Sequence, residues 1–196
     1  MYTPHDLNEE YWNERYKLNE TGWDIGYAAP ALINYCSKIE DKHIEILIPG
    51  CGYGHEVADL ISMGFDNIAV IDLSVEALNA LRQKVGEKAK LIHGNFFDHQ
   101  GQYDLIIEQT FFCALEPSLR EKYAEHMSRL LKPEGKLMGV LFNRQFEGGP
   151  PFGGDIVEYE KLFSPLFEIL NLEPCHNSIK PREGSEVFVE LKSKEK

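Results

Sequence analysis

Long apolar runs are missing from this chain. No stretch of its 196 residues approaches the ~20 needed to cross a bilayer, so a membrane-spanning helix is excluded. The opening "MYTPHDLNEE" lacks a basic region followed by an apolar segment and does not read as a secretory signal. Cysteine is sparse: Cys36, Cys51, Cys113 and Cys175 form no CxxC pair, which argues against a zinc site or a disulfide framework. Free thiols in a reducing cytoplasm fit that usage. No two histidines form an HxxxH pair, and no metal is expected. Basic residues are few. Lysine and arginine number 20 against 32 acids, a formal net charge of −12. A nucleic-acid partner needs a basic surface, so none is expected. A small anionic substrate is not excluded, because a local pocket can differ from the average. Repeats and linker-like stretches are also absent, and residues 1–196 read as one domain. Nothing in the sequence sets the oligomeric state.

What is present is an alternation. The spacing predicts a helix over 6–19, with Asp6 and Glu9 as a capping box, and a second over 31–39. Strands are then expected at 43–49, 67–73, 89–94, 103–109 and 136–142. Helices at 55–64, 74–86, 117–131 and 156–166 come between or after them, and two late strands at 167–173 and 186–192 follow. This pattern implies an α/β fold: a doubly wound, mostly parallel seven-stranded sheet. Its ligand crevice should lie beyond the carboxyl ends of the strands.

The sequence "PGCGYGHEV" (49–57) falls at that crevice, directly after the first strand. Gly50, Gly52 and Gly54 are spaced GxGxG. A dinucleotide loop would put its third glycine at position 55, where His55 stands, and no Gly-Lys-Ser/Thr follows to make a phosphate loop. The GxGxG turn resembles the nucleoside loop of class I S-adenosylmethionine (SAM)-dependent methyltransferases. On that reading the glycines make room for SAM; the plain alternative is a tight strand-to-helix turn. Asp72 ends the second strand, where a carboxylate can accept from both ribose hydroxyls. Helix capping would be its other use, but Ser74 already serves as the cap. Asn95 and Phe96, after the third strand, suit an adenine edge and face, and one of Phe96 and Phe97 is expected to be core.

"YWNERYKLNETGWDIGYAAP", "IPGCGYGHEV", "YDLIIEQTFFCALEP", "RLLKPEGKL" and "GGPPF" occur in an order that resembles the thiopurine S-methyltransferase-like family across nearly the whole chain. Two of these segments look nearest to its methyl halide and thiol methyltransferase branch. The resemblance implies a SAM-dependent methyltransferase with an N-terminal helical lid over residues 1–30. In that lid Trp12, Tyr16 and Trp23 close over SAM; on the residues alone, Trp12 and Tyr16 would be a helix face packed on the core. Glu108 and Gln109 are implied to position the methyl group, with no essential catalytic residue. Gln109 stands where the thiopurine branch has arginine, which removes a permanent cation.

The acceptor pocket is expected from Tyr27, Phe112, Phe146 and Phe152. The implied acceptor is a thiol, bisulfide or halide ion. Rival readings are another small acceptor such as a thiopurine, or a SAM-binding regulator without catalysis. Cys113 reads as a packing residue rather than a nucleophile. Asp24 either steers or caps the lid.

Overall fold

The computed structural model describes residues 6–194. Seven strands form one sheet: β1 (Ile46–Pro49), β2 (Ile68–Asp72), β3 (Lys90–His93), β4 (Tyr103–Gln109), β5 (Leu131–Phe142), β6 (Phe167–Pro174) and β7 (Glu186–Ser193). Their order is β3-β2-β1-β4-β5-β7-β6. The strands from β3 across to β5 run parallel, and β7 is antiparallel to both of its neighbours. The chain reverses its winding direction between β1 and β4. In such sheets the crevice opens at that switch.

Alternation along the strands sorts side chains to two covered faces. Ile46, Ile48, Ile68, Val70, Leu105 and Ile107 meet α2 (Pro30–Cys36), α3 (His55–Ser62) and α4 (Val75–Val85). Leu47, Ala69, Ile71 and Ile106 meet α5 (Arg120–Leu130) and α6 (Ile156–Phe163). A sheet buried on both faces needs such continuous apolar strands, and β1 and β2 supply them.

The predicted strands and helices all form, with shifted ends. The first helix, α1, is Glu9–Lys17, because Asn8 rather than Asp6 is its cap: the Asn8 side chain accepts from Tyr11 N at 3.0 Å. Proline fixes the start of α2 at Pro30. β1 starts at Ile46 rather than 43, since the preceding amides bond to side chains: His43 N to Asp41, and Glu45 N to Asp104 Oδ2 at 2.8 Å. β5 is longer than expected because Leu131 already pairs with Tyr103.

Candidate active site

Each glycine of the turn after β1 has a positive φ: +67° at Gly50, +54° at Gly52 and +66° at Gly54. Their reasons differ. A Cβ on Gly50 would stand 2.6 Å from Phe111 Cδ2, and one on Gly54 would run into Leu81 Cδ1 of α4. At Gly52 the nearest atom is Trp23 Nε1 at 4.0 Å. Only Gly52 therefore leaves open space. Gly50 and Gly54 are kept free of side chains by the protein's own packing, so of the three expected to make room for a ligand only Gly52 leaves space that one could take.

Asp72 binds this turn from below. Its Oδ2 accepts from Cys51 N at 2.9 Å and its Oδ1 from Ser74 N at 2.8 Å. Burial pushes its carboxyl pKa up, and these N–H bonds oppose the shift. Ser74 is the α4 cap, as expected, accepting from Ala77 N. Each Asp72 oxygen keeps lone-pair capacity, and the residue lines the cleft. Asn95 and Phe96 line it as well. Asn95 Oδ1 accepts from Phe97 N, and Phe96 is the more buried of the two rings, set against Tyr123 and His126.

Over the cleft stands α1 with the loop after it. Trp23 meets Trp12 edge-on at 5.6 Å and Tyr16 at 5.7 Å, and Tyr16 meets Tyr53 of the glycine turn at 5.4 Å. Several ties hold this cover, among them the following. The hydroxyl of Ser74 donates to Asn13 Oδ1 at 2.7 Å, His55 Nε2 lies 2.9 Å from Asp24 Oδ1, and Arg182 Nη2 donates to the Trp23 carbonyl at 2.8 Å. Asp24 is thus a latch onto the first residue of α3.

At the end of β4, parity separates the two predicted positioning residues. Glu108 points to the α5 face, outside the cleft lining. Its Oε1 accepts from Phe111 N (2.8 Å) and Phe112 N (2.9 Å), and its Oε2 from the Tyr123 hydroxyl (2.7 Å). It braces the 110–115 loop and does not face a methyl group. Burial raises its pKa to about 7. Gln109 lines the cleft.

Two of the expected acceptor-pocket residues, Phe112 and Phe152, lie outside the cleft lining. Phe112 is buried against Tyr123, Tyr159 and Phe163, and Phe111 takes the cleft position instead. Phe152 is buried under its loop, its N–H bonded to the Cys113 carbonyl, while Pro150 and Pro151 face the cleft. Phe146 and the half-exposed Tyr27 do line it. The Cys113 thiol donates to Thr110 O at 3.2 Å, and burial pushes its pKa far up, so it stays a neutral packing group.

Sequence reasoning missed Arg182. It sits in "KPREG" before β7, far along the chain, yet lines the cleft with Gln109 and Phe142. Its guanidinium lies 5.5 Å from the Phe142 ring and 3.5 Å from Glu186. The sequence carries no signal for it: Lys180 stands two residues away, and no spacing ties either to β4.

The thiopurine S-methyltransferase family model matches residues 7–194. The chain belongs to the thiopurine S-methyltransferase family. Within it, the chain is 30% identical to a probable thiol methyltransferase 2 of Arabidopsis thaliana, over 89% of this chain and 81% of that protein. It is also 30% identical to a thiocyanate methyltransferase 1 of Brassica oleracea, over 94% and 85%. A bacterial thiopurine S-methyltransferase from Nitrosospira multiformis is 28% identical over 83% and 84%. In fold it is similar to the Burkholderia thailandensis 1,6-didemethyltoxoflavin-N1-methyltransferase, solved with 1,6-didemethyltoxoflavin and S-adenosylhomocysteine. That likeness has a TM-score of 0.78 at 16% identity, over 100% of this chain and 92% of the other.

This family member is a SAM-dependent methyltransferase. Its cleft fits the cofactor on its own evidence. The volume is about 1020 Å³, Gly52 leaves backbone bare to it, and a half-buried carboxylate with spare acceptor capacity stands at the end of β2. Aromatic rings close above, where a sulfonium would gain from their faces.

The cover gives a direct test. Trp12→Leu keeps apolar bulk but removes the indole. Affinity for SAM should fall by about 0.5–2 kcal/mol with little change in melting temperature. Proteolysis within "NETGWDIG" should slow when S-adenosylhomocysteine is added. Unchanged affinity, with equal cleavage in both conditions, would take Trp12 out of the site.

Proposed function

We propose that this methyltransferase methylates a small sulfur nucleophile, a thiol or bisulfide, or a halide ion, taken up as the anion. The observation that carries the reading is Arg182. Its side chain is largely buried yet lines the cleft beside Gln109, walled by Phe111, Phe142 and Phe146. It pairs with Glu186 at 3.5 Å and donates to the Trp23 carbonyl, and its remaining N–H donors can meet an anion and favour the ionised form of a thiol. The thiol and thiocyanate methyltransferases among its relatives support the same class. We further propose that Trp12, Tyr16, Trp23, Gly50, Gly52, Asp72, Asn95, Phe96 and Gln109 form the cofactor side, and Tyr27 and Phe146 the acceptor side. Residues 1–196 then act as one domain with 1–30 as its cover. The four buried free cysteines suit a reducing cytoplasm.

When bound, SAM supplies a methyl group on a sulfonium, open to in-line displacement. An anionic acceptor needs no general base, so the residues contribute position and dryness. Arg182 holds the charge. The rings exclude water, which strengthens that attraction. Glu108 fixes the loop that carries Phe111.

One panel tests this: thiophenol, bisulfide, iodide, thiocyanate and a thiopurine, each with SAM. Turnover is expected with thiol and bisulfide. Arg182→Gln should raise KM for the anionic acceptors about tenfold or more, a larger loss than in S-adenosylhomocysteine affinity, which falls only through the lost bond to the Trp23 carbonyl. Turnover on the thiopurine alone would replace the proposed acceptor, and binding of SAM without turnover on any member would mark a regulator.

A further inference from the structure

Glu56 is a carboxylate that the fold does not need as an acid. It stands in the first turn of α3 and lines the cleft. Its Oε1 accepts from Ala29 N at 3.0 Å, at the joint between the cover and α2. Among the described residues no lysine or arginine pairs with it. Burial pushes its carboxyl pKa up, while the Ala29 N–H and its own backbone N–H favour the ionised form. The positive end of α3 adds to that preference. A neutral side-chain amide would accept the same Ala29 bond without the cost of a half-buried charge. An acid there calls for a cation.

Topology says which cation. The strand ends run β3, β2, β1, β4 across the cleft. Asn95 and Phe96 follow β3, Asp72 ends β2, and Gly52 follows β1. A nucleoside whose base and ribose lie along the first two directs its 5′ substituent past Gly52, toward the β1–β4 side where α3 begins. The other carboxylates lining the cleft are engaged: Asp24 with His55 and Gly26 N, Glu20 with Arg15, Glu9 with His93, Glu116 with Ser118, and Asp72 with Cys51 N and Ser74 N. Glu108 faces α5. The 5′ substituents of SAM and of S-adenosylhomocysteine share one cation at neutral pH, the α-ammonium group.

We propose that Glu56 is the counter-ion of the α-ammonium group of bound SAM and S-adenosylhomocysteine, which rests on the cleft being the SAM site. The same carboxylate bonds to Ala29 N, so the amino-acid end of the cofactor and the root of the cover share one side chain. An occupied site then holds the cover's root in place through Glu56.

The test is Glu56→Gln, measured by calorimetry with two ligands. S-Adenosylhomocysteine carries the ammonium; 5′-methylthioadenosine has the same nucleoside and sulfur without it. The variant keeps an acceptor for Ala29 N, so its melting temperature should match wild type. Its Kd for S-adenosylhomocysteine should rise tenfold or more, and its Kd for 5′-methylthioadenosine should stay within about twofold. Unchanged S-adenosylhomocysteine affinity, or an equal loss for both ligands, would overturn the proposal and leave Glu56 as a tether for the cover. A wild-type protein that binds neither ligand would overturn the SAM site itself, and the counter-ion with it.

Discussion

Asp72→Ala should weaken S-adenosylhomocysteine binding by a hundredfold or more. Two ribose hydroxyls donating to a carboxylate are each worth about 1.5–3 kcal/mol as charge-assisted bonds. The substitution also strands Cys51 N and Ser74 N, which both donate to this side chain. The glycine turn would then lose its tie to β2, and the site its shape. Asp72→Asn separates the two effects. It keeps one oxygen for the turn and gives up the charge. Calorimetry on both variants should rank affinity as Asp, then Asn, then Ala. If Asn and Ala bind as tightly as wild type, Asp72 only braces the turn.

Glu108→Ala should be the most destabilising single change near the site. Three buried donors, Phe111 N, Phe112 N and the Tyr123 hydroxyl, would lose their acceptor together. The expected loss is on the order of 3–5 kcal/mol in denaturant unfolding. Glu108→Gln should fold, and it makes the pH dependence legible. The folded pKa is about 7 against the carboxyl's ordinary 4.5, so between these values the folded protein holds a proton there that the unfolded chain has released. This group's contribution is therefore full below about pH 4.5 and is lost as pH rises through 7. Between pH 5 and 8 wild type should lose a few kcal/mol relative to Glu108→Gln. Parallel stability curves for the two proteins would show that Glu108 is ionised throughout.

The contrast between Glu108 and Gln109 shows why part of the site was hidden. Sequence placed both at the end of β4, and both are there. Alternation puts neighbours on opposite faces, but a strand buried on both sides carries no polar stripe to say which face is which. Phe111 and Phe112 lie beyond the strand in a 3-10 turn, where no strand alternation says which ring meets the cleft. Arg182 was hidden for a different reason: it reaches the cleft only because β7 inserts between β5 and β6. Glu56 was visible as a residue of α3 but had no partner in sequence to give it a role.

The sequence by itself determined the alternating α/β order, the mostly parallel sheet, the glycine turn at the crevice and the family. These depend on local periodicity, on chain-adjacent turns and on motif order, which a linear reading retains. Only the tertiary structure decided that Gly50 and Gly54 answer to Phe111 and Leu81, that Glu108 is a brace, and that Arg182 and Glu56 line the cleft. Each of those is a contact between elements far apart in the chain. Which atoms meet there follows from strand order and strand face, and neither is written in the spacing of residues along one element.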